Sequence, residues 1–168
     1  DTIPLHYEDI PKKKYNWYVT PSIKNYIGAR SQVIRYIRGP QHDWLDSEVF
    51  TNRAWKISTQ SNRIGYRLQG EPLKRKVTDE LLTEATSFGA IQVPPNGLPI
   101  VLMADAQPTG GYPKIGQVIE VDLPKLSQLS LSGTLYFQEV SIHEAVDLWH
   151  QHQRIFQSLK YFIHEKYK

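Results

Sequence analysis

The densest run of chemically useful side chains is Ala104-Asp105-Ala106-Gln107-Pro108-Thr109-Gly110-Gly111-Tyr112-Pro113-Lys114. A strand that runs into Asp105 and Gln107 and then into a Gly-Gly pair presents polar side chains and bare backbone amides at a sheet end. Anionic or amide-bearing ligands can approach there. The same residues also suit a long turn in which Asp105 and Thr109 hydrogen-bond their own backbone. Gly110-Gly111 and Lys114 lack the G-x-x-x-x-G-K-S/T spacing of a phosphate loop, and no helix is expected after them, so an autonomous ATP site is not read here.

A second cluster, Asn62-Arg63 ahead of Ile64-Gly65-Tyr66-Arg67, carries two guanidinium groups able to grip a carboxylate or phosphate. Gly65 inside a strand marks close approach by a ligand or another backbone. The plainer alternative is strand packing with Arg63 and Arg67 solvated. Gly39-Pro40-Gln41-His42-Asp43 is a third, weaker cluster.

Other chemistries find no support. The six histidines have no metal-ligand spacing: His150 and His152 are two apart on an expected helix and do not face together, and no H-E-x-x-H occurs. No metal site is expected. Serines have no G-x-S-x-G context, which disfavours a Ser-His-Asp hydrolase. The absence of cysteine removes disulfides, thiolate catalysis and sulfur-bound zinc, and fits a reducing, cytoplasmic setting. Lys12, Lys13 and Lys14 beside Tyr15, Trp17 and Tyr18 read as a solvated basic segment. A net charge of +3 is too weakly polarised to imply a nucleic-acid partner.

These clusters need a scaffold, and 168 residues that are 40% hydrophobic and 22% charged suffice for one globular domain. Residues 1–30 mix prolines and aromatics without a period and read as irregular chain. Strand composition follows at Gln32 to Ile37, ended by Gly39-Pro40, and Asp43 to Phe50 suits a turn or two of helix. Ala54 to Ser58 and Ile64 to Leu68 form a hairpin candidate. Phe88 to Val93 and Pro99 to Ala104 form another around Pro94-Pro95-Asn96-Gly97, where Asn-Gly offers the positive φ values of a tight turn. Ile115 to Val121 and Gly133 to Val140 alternate as strands. Ser141 with Glu144 is a capping box, and apolar residues from Ala145 to Ile163 recur at helical steps. Residues 141–168 are therefore expected to form an amphipathic helix packed on its own domain. The sum is a mainly β barrel or sandwich, with residues 31–140 forming the barrel. No run is long enough to span a membrane, and no leader is read at the start. The chain opens at Asp1 and its only methionine is Met103, so a trimmed or excised chain is expected.

Taken together, Gly39-Pro40-Gln41, Ser61 through Leu68, Gly89-Ala90-Ile91-Gln92-Val93-Pro94-Pro95-Asn96-Gly97 and Asp105 through Ile115 occur in the order and spacing of one family. The chain resembles the C-terminal half of the 5-oxoprolinase C subunit, the KipA or allophanate hydrolase subunit 2 family, also called biotin-dependent carboxyltransferase-like. The match covers roughly residues 33 to 145. It implies a cyclophilin-like β-barrel with short helices and a long C-terminal α-helix, in family members about twice this length. It also implies a subunit of an ATP-dependent complex opening 5-oxoproline, a small cyclic amide, to glutamate. ATP would act at the level of that complex, with KipI-like and LamB/YcsF-like partner subunits. By this resemblance Asp105, Gln107 and Lys114 are candidate catalytic residues, and Asn62, Arg63, Arg67, Gln92, Thr109 and Tyr112 are candidate substrate contacts. Many relatives have Asp-Arg-Gln-Thr-Thr-Gly-Gly where this chain has Asp105-Ala106-Gln107-Pro108-Thr109-Gly110-Gly111. The work of that arginine is absent here or done by another group, which favours lactam hydrolysis over the carboxyl transfer of the related urea carboxylase domain. A regulatory module acting on its partner subunit is the alternative. Prolyl isomerisation rests on barrel analogy alone.

Overall fold

The computed structural model describes residues 31–77 and 79–166. The reading of residues 1–30, with Lys12 to Lys14, lies outside them, as do the last two residues of the expected helix. Nine strands are described: β1 (Ser31–Arg38), β2 (Ala54–Ile57), β3 (Gly65–Gln69), β4 (Glu84–Ala85), β5 (Ala90–Gln92), β6 (Ile100–Leu102), β7 (Thr109–Gly110), β8 (Lys114–Val118) and β9 (Thr134–Glu139). Seven of them close into a barrel in the order β1-β8-β5-β6-β3-β2-β9, while β4 and β7 pair as a separate ribbon. Closure removes the unpaired edges that an open sheet would present. The fold is mainly β, as the sequence predicts, and among the described strands β1 and β9 make the one parallel pair.

The barrel fills with the inward side chains of these strands. Phe50 and Phe137 stack at 4.3 Å, Tyr36 meets Phe50 edge-on at 5.3 Å, and the Trp55 indole N–H donates to the Phe50 carbonyl at 3.0 Å. Rings that bury this much area with their polar tips satisfied dominate a core of this size. Burial first, and the Glu139 carboxylate second, push the Tyr36 phenol up to about 12, so it remains neutral.

Both expected hairpins form. Lys56 pairs with Gln69 and Ile57 with Leu68 across β2 and β3, and Ile91 pairs with Val101 across β5 and β6. The second turn differs from expectation: Gly97 takes a φ of 74°, and Asn96 does not share it. Pro95 accounts for this, since its ring fixes φ near −65° in the Pro94–Gly97 turn closed by the 2.9 Å Gly97 N–H to Pro94 carbonyl bond.

β8 stops at Val118 rather than Val121. Glu120–Asp122 make a 3-10 turn leading into helix α2 (Leu123–Ser127), which the sequence reading missed; α1 is Ser47–Thr51. The cause is Asp122, fully buried and gripped by Arg35 through Nε at 2.8 Å and the backbone N–H at 2.9 Å, and by Lys125 Nζ at 2.7 Å.

Helix α3 (Ile142–Lys166) starts at the expected capping box: the Ser141 N–H donates to Glu144 Oε2 at 2.9 Å and the Glu144 N–H to Ser141 Oγ at 3.2 Å. Its packing corrects the sequence reading. Ala145 and Leu148 pack on Ile119, Val121 and Val140, yet no described residue of the helix is buried, and Ile155, Phe156, Phe162 and Ile163 are exposed. Twenty-five residues at about 1.5 Å each outrun the barrel wall that the first turns touch. No described helix is long and apolar enough to cross a membrane.

Burial opposes ionisation of Asp122, but the hydrogen bonds from Arg35 and Lys125 outweigh it and hold the carboxyl below its usual range. A depressed carboxyl stabilises the fold above its unfolded value of about 4, and that contribution is lost as pH falls through the folded value. Asp122→Asn should cost about 3 kcal/mol at neutral pH by denaturant unfolding. The gap from wild type should narrow below about pH 4.

Candidate functional site

β5 turns Ile91 and its follower Val93 into the core, so Gln92 faces out of the barrel. Across the strand pair Gln92 lies opposite Lys114, next to a register shift. Side chains at such paired positions stand about 5 Å apart on one face. The β4–β7 ribbon lies over them: Glu84 pairs with Gly110 and Ala85 with Thr109. Thr86 anchors the ribbon, donating its N–H to the Pro108 carbonyl at 2.8 Å and its hydroxyl to the Gln107 carbonyl at 2.6 Å.

Two features of this covered face bear on chemistry. Lys114 Nζ sits 2.6 Å from Glu84 Oε2 and donates to the Ala85 carbonyl at 3.0 Å, with its side chain 14% exposed. Gln92 is 6% exposed, and its Nε2 is buried without a hydrogen-bond partner. Such a donor costs roughly 1–3 kcal/mol when left unpaired, and native structures keep few of them. A Cβ at Gly110 would lie 2.8 Å from Gln92 Nε2, so a larger residue there would have to push the Gln92 amide aside.

The Gly39–Asp43 cluster acts here through backbone. The Gln41 N–H donates to the Lys114 carbonyl at 3.1 Å, and the Lys114 N–H donates to Gln41 Oε1 at 3.0 Å. Gln41 therefore supplies a strand-like partner where the β5–β8 register slips, and it fixes the direction of Lys114. Sequence reading flagged Gln41 without a role and missed Glu84, which sits in a stretch with no period or motif.

Asn62, Arg63 and Asp105 assemble separately, where β3 begins and β6 ends. Arg63 Nε meets Asp105 Oδ2 at 3.0 Å, and its terminal nitrogen donates to Oδ1 at 3.2 Å, a two-point grip. Asp105 thus pairs with Arg63 and not with its own backbone. Asn62 makes the turn instead, accepting from the Ile64 N–H at 2.9 Å. A 290 Å³ cleft beside them is lined by Asn62, Arg63, Tyr66, Met103 and Leu131. Arg67 lines a different cleft with Gln60 and Asn96, so the two guanidinium groups do not converge. Gln107, Thr109 and Tyr112 are exposed. No group of three metal-ligating side chains occurs among the described residues.

The fold is thus a closed barrel with a polar ribbon laid on its outer wall. The chain belongs to the family described as carboxyltransferase domain, subdomain A and B, whose model matches residues 1–139. It is 43% identical over 136 residues to the 5-oxoprolinase C subunit of Escherichia coli, covering 79% of this chain and 44% of that protein. It is 41% identical over 136 residues to the 5-oxoprolinase C subunit of Haemophilus influenzae, covering 81% and 42%. The chain thus spans less than half the length of these curated relatives. The Kluyveromyces lactis urea carboxylase structure aligns with a TM-score of 0.70 at 26% identity, over 76% of this chain and 12% of that one.

If the unpaired amide is kept for a ligand and not for the fold, Gln92→Met should leave the protein as stable as wild type or stabilise it by about 1 kcal/mol. Denaturant unfolding of the two proteins provides the comparison.

Proposed function

We propose that this chain is the barrel portion of a subunit in an ATP-dependent 5-oxoprolinase complex, which opens the lactam of 5-oxoproline with water to give glutamate in the cytoplasm. The observation that carries this reading is the identity of more than 40% to the 5-oxoprolinase C subunit over a stretch long enough that it must take in Gln92, Asp105 and Lys114. KipI-like and LamB/YcsF-like subunits are the proposed partners.

The geometry supports a division of labour. The Asp105 carboxylate, steadied at two points by Arg63, keeps lone pairs with which to accept the lactam N–H. Ala106 leaves no guanidinium of its own in this loop, and Arg63 brings one to the Asp105 carboxylate from the turn before β3. Gln107 and Tyr112 stand exposed on the loop that follows, open to substrate or to a partner subunit. Gly110-Gly111 leads into β8 and not into a helix N-terminus, so this loop lacks the helix start on which a phosphate loop relies. In this reading ATP acts at the level of the complex. The exposed apolar residues of α3 favour one second reading, a regulatory module seated on its partner subunit.

Asp105→Asn keeps the shape and removes the charge. In the reconstituted complex it should lower 5-oxoproline turnover about 10- to 100-fold, the scale of a lost charge-assisted hydrogen bond, with an unchanged melting temperature. Wild-type turnover would remove Asp105 from the chemistry. Absence of turnover in any subunit combination would favour the regulatory reading.

A further inference from the structure

Arg63 already has its counter-ion in Asp105, so one of the two guanidinium groups that the sequence offers for anions is neutralised from within the fold. Beneath the ribbon the situation differs. Lys114 also has a counter-ion, Glu84, but that carboxylate comes from a two-residue strand of a two-stranded ribbon. Beside it lies the unpaired Gln92 donor, more than nine-tenths buried. We propose that Lys114 and Gln92 form a carboxylate-binding subsite, that Glu84 occupies it as an internal stand-in, and that a ligand carboxylate enters by displacing Glu84.

The chemistry matches a carboxylate better than a neutral amide. One carboxylate oxygen can accept from the Lys114 ammonium while the other accepts from Gln92 Nε2, because the two residues are cross-strand partners on the same face. Glu84 satisfies only the first of these donors, and its side chain is 42% exposed, so leaving the subsite returns it toward water. A ribbon with two paired residues per strand is marginal as a unit and opens at low cost. Lifting it frees Gln92, whose amide otherwise lies against Gly110 with the Thr86 methyl close by. Lys114 keeps its direction throughout, since Gln41 holds its backbone from the other side.

The inference rests on the proposed function only in the choice of probe, L-5-oxoproline, with 2-pyrrolidinone as the same lactam lacking the carboxylate and succinate as a carboxylate lacking the lactam. Calorimetric titration of the full chain should show binding of L-5-oxoproline and succinate but not of 2-pyrrolidinone. Glu84→Gln, which removes the internal competitor, should tighten both by about tenfold, and Gln92→Met should weaken both by about tenfold at an unchanged melting temperature. Equal binding of 2-pyrrolidinone and L-5-oxoproline would overturn the subsite. So would the lack of any carboxylate binding by Glu84→Gln at millimolar concentration. The two readings fail separately. Carboxylate binding that follows Glu84 and Gln92, without turnover in any complex, retains the subsite and removes the 5-oxoprolinase assignment. Turnover that is indifferent to Gln92→Met does the reverse.

Discussion

Strand β1 and the turn after it hold the rest of the molecule in place. β1 pairs with β8 on one side and β9 on the other, and so closes the barrel. Its inward Tyr36 packs on Phe50 and Phe137, and its outward Arg35 reaches the buried Asp122 that redirects the chain after β8. Past its end, Gly39 donates to the Ile115 carbonyl at 3.0 Å and Gln41 pairs with Lys114 in both directions. One strand thereby couples closure, core packing and the placement of the lysine on the outer wall.

That coupling explains why the proposed subsite lies outside the barrel and not within it. The interior is filled by buried aromatic and branched side chains that pack as one cluster. The polar face of β5 and β8 is the remaining rigid surface, and rigid strands hold side chains more precisely than loops do. The ribbon then contributes what rigid strands cannot, a cover that is able to move. A ligand held between a fixed wall and a movable ribbon is shielded from water, and in that setting the charge of Lys114 acts more strongly.

Much of this was legible in the residues, for identifiable reasons. Alternation revealed the strands because one face of each meets the core, as Trp55 and Ile57 do in β2. The capping box at Ser141 and Glu144 is a local pattern and located the start of α3. Helix α2 was hidden because its cause is remote: Asp122 is drawn in by Arg35, 87 positions away. The two-residue strands β4 and β7 carry no period at all, and with them went Glu84. Asp105 and Arg63 were both legible as polar, whereas their mutual neutralisation depends on how β3 and β6 pair. The exposed stripe of α3 shows the limit of amphipathicity, which reports that a face will be covered and not by what.

In the proposed subsite ligand binding turns on Gln92, and its side-chain amide is a direct reporter. With the full chain labelled with nitrogen-15, titration with L-5-oxoproline should shift the Gln92 side-chain N–H resonances downfield as they gain an acceptor, together with the backbone amides of Glu84 and Gly110 as the ribbon moves. Perturbations confined to Asn62, Arg63 and Asp105, with Gln92 unmoved at saturation, would contradict it.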